Sequence, residues 1–193
     1  MVASGDGGTE APSTIGLRRH TVRLVAHRRE WHVLFESERR ALLERVGHLA
    51  VDVQHVGSTA VEGLETKPII DIAMAVRSAE DIPRLRRPLE GLGYIYRGDA
   101  GSDGEHLFVK ESSPEVRTHH LHVVGVDDPQ WRQWLLFRDK LRADDTLRAR
   151  YSKLKKGLQE RFTDDRKGYT DAKDAFVDSV LRPHGPGRKV SWH

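Results

Sequence analysis

The run His55-Val56-Gly57-Ser58-Thr59-Ala60-Val61-Glu62-Gly63-Leu64-Glu65-Thr66-Lys67-Pro68-Ile69-Ile70-Asp71 carries the side chains best suited to chemistry in this chain. A strand that ends in Gly57-Ser58 brings backbone N–H groups and a small hydroxyl close to an oxyanion, because glycine puts no side chain in the way. A helix beginning there would add the favourable end of its dipole. The same pair also serves as an ordinary tight strand exit. Asp71 adds a second requirement. It interrupts the apolar run Ile69 to Val76, and an ionised carboxylate in such a strand costs several kcal/mol unless it is paired, hydrogen-bonded or metal-bound. A structural salt bridge, a metal ion or a substrate would each meet that need.

Histidines supply the other half of a pocket. His120 and His122 are two apart on an expected strand and share a face, whereas His119 points the other way. Neutral imidazole is a good ligand for zinc, iron or manganese, and two histidines with Asp71 would make a facial set with open positions. His55 is a further ligand or supporting group. The same histidines can instead satisfy buried hydrogen bonds, or act as acid and base without a metal. Arg138, Arg142, Lys155 and Lys173 lie on the C-terminal helices, where lysine and arginine are ordinarily solvated. Of these, Arg138 follows Phe137 directly, and Lys173 is four residues after Tyr169, on the same helical face.

These residues need elements to hold them. Trp31, Leu34, Phe35, Leu42, Val46 and Leu49 recur at helical spacing. Strand-like Val51 to Val56 and Ile69 to Val76 follow, the second apolar enough for a central buried strand. Ser78 and Asp81 form a capping-box pattern ahead of Ile82, Leu85, Leu89 and Leu92, and Gly91 and Gly93 end that helix. Tyr94 to Tyr96, His106 to Lys110 and His119 to Val124 read as three more strands. From Asp128-Pro129 onward the period is helical, in three segments marked by Trp131, Trp134, Leu135 and Leu141, by Leu147, Tyr151, Leu154 and Leu158, and by Phe176, Val177, Val180 and Leu181. The order predicts an α+β fold, a mixed sheet with packed helices and a helical C-terminal part. Residues 1–15 and 183–193 read as tails around one domain over 16–182.

Composition narrows the classes. The chain has 193 residues and no Cys, which excludes disulfides, a cysteine nucleophile and a thiolate metal site. Lys plus Arg number 32 against 29 Asp plus Glu, a formal charge of +3, so nucleic acid is disfavoured as a partner. No run approaches the roughly 18 apolar residues of a spanning helix, and no secretory signal opens the chain. A cytoplasmic protein without membrane contact is expected.

With Arg117-Thr118-His119-His120-Leu121-His122-Val123, Phe137-Arg138-Asp139 and Tyr169-Thr170-Asp171-Ala172-Lys173 following in order, the sequence resembles the GrpB family over about residues 20 to 181. That family is placed in the nucleotidyltransferase superfamily, with a DNA polymerase beta-like catalytic fold. The resemblance implies Gly57, Ser58, Thr59, Lys67, Arg138 and Lys173 around a phosphate or other ligand. The residue types themselves make Asp71, His120 and His122 the candidate catalytic residues and, together with His55, the candidate ligands for a divalent ion such as Mg, Mn or Zn. Active members of the superfamily hold two Mg²⁺ ions on carboxylates at positions i and i+2 of the strand after Gly-Ser, a spacing that puts both on one face. Here the second position is Ala73, and Glu62 stands where the family commonly has proline. The strand alone therefore cannot assemble the two-metal clamp, unless another carboxylate such as Glu62, Glu105 or Glu111 approaches Asp71. The expected function is an enzyme acting on a small molecule, with phosphorylated ones and nucleotides among the candidates, in a cleft built from the Gly-Ser turn, Asp71 and the His120/His122 strand. The alternatives are metal-assisted or acid/base elimination or hydrolysis without nucleotides, and a non-catalytic module binding a nucleotide or protein.

Overall fold

The structure, a computed structural model, describes residues 15–98, 105–162 and 165–182. The expected tails thus lie outside the described residues except for Ile15. Six strands and five helices follow in order: β1 Leu17–Arg18, α1 Glu30–Val46, β2 Ala50–Val56, β3 Ile70–Val76, α2 Ile82–Glu90, β4 Tyr94–Tyr96, β5 His106–Ser113, β6 Val116–Gly125, α3 Pro129–Ala143, α4 Asp145–Arg161 and α5 Arg166–Leu181. Short 3-10 turns cover Ser58–Ala60 and Ala79–Asp81. The expected helices and strands are all present, and the short β1 is an addition.

The helix starts follow from local chemistry. Asp128, Asp144 and Asp165 each cap a helix, accepting from the backbone N–H of Gln130, Leu147 and Gly168 respectively. Pro129 sits at the start of α3, where its missing N–H costs nothing. Ser78 accepts from Glu80 N, so it caps the 3-10 turn that leads into α2.

The sheet runs β2-β3-β6-β5-β4, with β1 added to β6. β3 and β6 pair in parallel and the other pairs are antiparallel, so the sheet is mixed. Alternation along β3 divides the core in two. Ile70, Ile72, Met74 and Val76 join Leu121, Val123, Trp31, Phe35 and Leu85 on the face covered by α1 and α2. Ala73 and Ala75 face the other way, with Val124, Trp134, Phe137, Tyr151 and Val177, under α3 to α5. Small side chains on this second face let the large aromatics of α3 close on the sheet. Asp71, His120 and His122 share that face by strand parity, so the α3–α5 layer roofs the site. Among the described residues, no helix is long and apolar enough to cross a membrane.

Candidate functional site

Register brings the site together. β2 ends with Val56 opposite Asp71, so Gly57 follows directly beside the carboxylate. Gly57 has φ 68° and ψ −169°, a conformation that is nearly confined to glycine. A methyl group on its Cα would stand 2.8 Å from Asp71 Cβ and 3.0 Å from Cγ, with a carboxylate oxygen closer still. Glycine is needed here for its φ and for the space it leaves. Ser58 to Ala60 then form a single 3-10 turn, so the helix dipole considered from the sequence does not act at Ser58.

On the parallel neighbour β6, His120 pairs with Asp71 and His122 with Ala73. His120 Nδ1 lies 3.1 Å from Asp71 Oδ1. His122 Nε2 faces the same oxygen at 3.9 Å, too far for a direct hydrogen bond. Ligating atoms of Asp71, His120 and His122 all lie within 4.8 Å of one another. Both imidazoles are fully buried. Burial pushes the Asp71 carboxyl up, but the hydrogen bond from His120 and the proximity of both imidazoles outweigh it and hold the group well below the usual carboxylate range. For His122, burial opposes the charged ring, and the flanking carboxylates of Asp71 and Glu105 win, raising it to about 9.

Glu105 is the acid that comes to the histidine pair. It is 2% exposed and its Oε1 lies 2.6 Å from His122 Nδ1. Of the three acids considered for this role, Glu62 is exposed and pairs with Arg29 at 3.4 Å. Glu111 pairs with Arg97 at 3.5 Å and accepts from Glu115 N. Glu105 alone among these three touches the histidine pair, immediately before β5, and it reaches Asp71 through His122.

The same face holds a partly open cavity of about 30 Å³ whose lining includes Gly57, Ser58, Lys67, Asp71, His120, Lys155 and Lys173. Lys155 Nζ donates to Ser58 Oγ at 3.2 Å and to the Glu65 carbonyl. Burial and the positive charge of Lys173 lower its amine well below the ordinary lysine range. Lys67 and Lys173 both place their ammonium groups 5.8 Å from the centre of the Tyr169 ring. Three lysine side chains therefore line one cavity with the Asp71 carboxylate. The sequence motifs mark Lys67 and Lys173 and give Lys155 no special place. Its signal is its spacing: four residues after Tyr151, on the apolar stripe of α4.

Other expected members stand elsewhere. His55 stacks on Phe35 at 4.7 Å and its Nε2 meets Thr59 Oγ1 at 3.0 Å. Burial lowers His55 to about 3 despite the nearby charge of Asp71. His55 and Thr59 line a separate, wider cleft of about 770 Å³ beside Arg142 and Arg148. Arg138 binds the edge of the sheet: its Nη1 donates to Gln54 Oε1 at 2.9 Å and to the His55 carbonyl at 3.0 Å, and its Nε donates to Asp139 at 2.8 Å. Edge strand β2 has backbone groups with no neighbouring strand to pair with, and Arg138 takes one of them.

A mixed sheet, a Gly-Ser turn against an aspartate strand, and helices closing one face define a nucleotidyltransferase-like α+β protein. Terminal uridylyl transferase 4 of Trypanosoma brucei, solved with bound dUTP, has a similar fold: TM-score 0.52 at 13% identity, over 81% of this chain and 55% of that one. A family model described as GrpB protein matches residues 21–183, and the chain belongs to that family. The glutamate-rich protein GrpB of Alkalihalophilus pseudofirmus is 36% identical over 170 residues, 86% of this chain and 98% of that one. The crystal structure of the conserved protein GrpB of Enterococcus faecalis aligns with TM-score 0.76 at 33% identity, over 83% of this chain and 96% of that one. Other curated relatives are longer, and the chain spans 62% and 47% of two of them.

Proposed function

We propose that residues 16–182 form one enzyme domain acting on a small phosphorylated molecule, whose phosphate enters the cavity beside Gly57 and Ser58. The observation that carries this reading is the convergence of Lys67, Lys155 and Lys173, with Asp71, on the lining of one cavity of about 30 Å³. Like charges held together out of water repel and lose hydration, and an oxyanion offsets both costs at once. The volume is that of about two waters, which suits one tetrahedral phosphate. A nucleoside or other body of the substrate then extends from the mouth.

Ser58 Oγ and the three lysine amines bind and orient the phosphate, and the lysines neutralise charge that develops on its oxygens during transfer. Asp71, His120 and His122 would hold a single divalent ion. When bound, that ion polarises a phosphoryl oxygen as a Lewis acid. The buried His122 Nε2, which has no hydrogen-bond partner among the described residues, fits such an ion. Tyr151 and Tyr169 wall the cavity and exclude water. Ala73 leaves β3 without the second metal carboxylate of the family's usual pattern, which favours one ion over two.

Thermal-shift titration with inorganic phosphate, pyrophosphate, nucleoside triphosphates and sulfate tests this. Phosphate or pyrophosphate should raise the melting temperature at millimolar concentration or below, and Lys155→Met should abolish the shift. Identical responses of the parent and Lys155→Met to every anion would overturn the reading.

A further inference from the structure

We infer that the ion held by Asp71, His120 and His122 is a transition metal of the zinc, cobalt, manganese or iron class rather than magnesium, and that Glu105 is the positioning residue that fixes His122 as its ligand. The inference rests on the site reading above and names the cofactor class it takes.

Donor chemistry comes first. Magnesium binds oxygen donors in near-ideal octahedral geometry and keeps several waters. This group offers one carboxylate and two imidazoles, both fully buried, and imidazole suits zinc, copper, iron and nickel. The position that would carry the second oxygen ligand is Ala73, directly opposite His122 in the parallel register.

Which nitrogen of His122 faces the ion is set by the partner of the other. A neutral imidazole has one N–H and one lone pair, and the partner of the first decides where the second points. Glu105 Oε1 lies 2.6 Å from His122 Nδ1, so Nδ1 carries the hydrogen and donates it. In the neutral, ligating ring the lone pair is left on Nε2. That atom is buried, has no hydrogen-bond partner among the described residues, and faces Asp71 Oδ1 at 3.9 Å. Two ligands of one ion at ordinary bond lengths near 2.1 Å are separated by up to about 4 Å, so an ion fits between these two atoms. Trp134, whose ring centre is 5.4 Å from that of His122, packs the imidazole from a further side. A carboxylate behind a ligating histidine is the usual device for orienting the ring and raising its basicity, and its loss weakens metal affinity by about 10- to 100-fold.

Calorimetric titration of the metal-free protein with Zn²⁺, Co²⁺, Mn²⁺ and Mg²⁺ separately, with the visible spectrum of the Co²⁺ form, tests the inference. The expected result is one site, filled by Zn²⁺ or Co²⁺ at least 100-fold more tightly than by Mg²⁺. Glu105→Gln should weaken that affinity by about 10- to 100-fold and alter the Co²⁺ absorption bands. His122→Gln should remove most of their intensity. A merely structural Glu105 would shift the melting temperature and leave the bands unchanged. Should Glu105→Gln fail to fold, Glu105→Asp and the metal preference of the parent protein make the same distinction. Tighter binding of Mg²⁺ than of Zn²⁺ or Co²⁺, or equal Zn²⁺ affinity in parent and variant, would overturn it. Phosphate or pyrophosphate binding by the metal-free protein reports on the lysine cavity separately, so the metal inference can fail while the phosphate reading stands.

Discussion

Replacing Gly57 by alanine tests the close approach on which the site depends. The backbone at φ 68° and ψ −169° lies where a non-glycine residue costs about 1–3 kcal/mol. The added methyl would also sit 2.8 Å from Asp71 Cβ and 3.0 Å from Cγ, inside ordinary contact distance, so the Asp71 side chain has to swing away. That motion breaks its 3.1 Å contact with His120 Nδ1, and a hydrogen bond to a charged group contributes about 1.5–3 kcal/mol. Together the two effects predict a loss of about 3 kcal/mol or more, which for a domain of this size lowers the melting temperature by on the order of 10 °C. Circular-dichroism melts of Gly57→Ala, Asp71→Ala and the double variant separate them. The backbone cost should persist in the double variant. The carboxylate contribution should vanish there, giving a coupling of about 1.5–3 kcal/mol. Metal and phosphate affinity should fall in Gly57→Ala as well. A Gly57→Ala protein that melts within about 2 °C of the parent, by the same conversion under about 1 kcal/mol, and binds both ligands normally would refute the reasoning.

Three further outcomes are expected. Lys155 is held below its ordinary pKa by burial and Lys173, so its protonation is disfavoured in the folded state at every pH below the unfolded value. Lys155→Met should therefore melt no lower than the parent at pH 7 while losing phosphate binding, and a drop of several degrees would show the amine to be a structural strut. For His55, lowered to about 3 by burial, the unfolded chain takes up a proton that the folded one refuses as pH falls below 6.5. The resulting loss is about 1.4 kcal/mol at pH 5.5 and continues toward the folded pKa. Urea unfolding of the parent and His55→Gln at pH 7.5 and 5.5 should show that difference, and a gap that does not change with pH would count against it. Arg138→Ala should cost about 2 kcal/mol through its bonds to Gln54, the His55 carbonyl and Asp139 without changing phosphate affinity. A selective loss of phosphate binding would return Arg138 to the ligand set.

Local pattern was enough for the elements and for much of the site. Helical recurrence of Trp31, Phe35, Leu42 and Val46, the apolar run through Ile72 to Val76, and aspartates ahead of three helices are short-range signals, and a chain folds them wherever its neighbours permit. The two-residue spacing of His120 and His122 and the one carboxylate in a buried strand were equally legible, because strand parity is a property of consecutive residues. Which strand lies beside which is decided by long-range pairing, and so was everything that crosses it. Asp71 meets His120 only because β3 and β6 pair in parallel in that register. Glu105, one of three acids that the sequence leaves equivalent, reaches His122 because β5 pairs with β6. Lys155 enters the cavity because α4 folds back over Ser58. Arg138 and His55, marked by the same motifs, turn to the sheet edge and to a second cleft, since each makes its hydrogen bonds with groups that only the folded chain brings within reach.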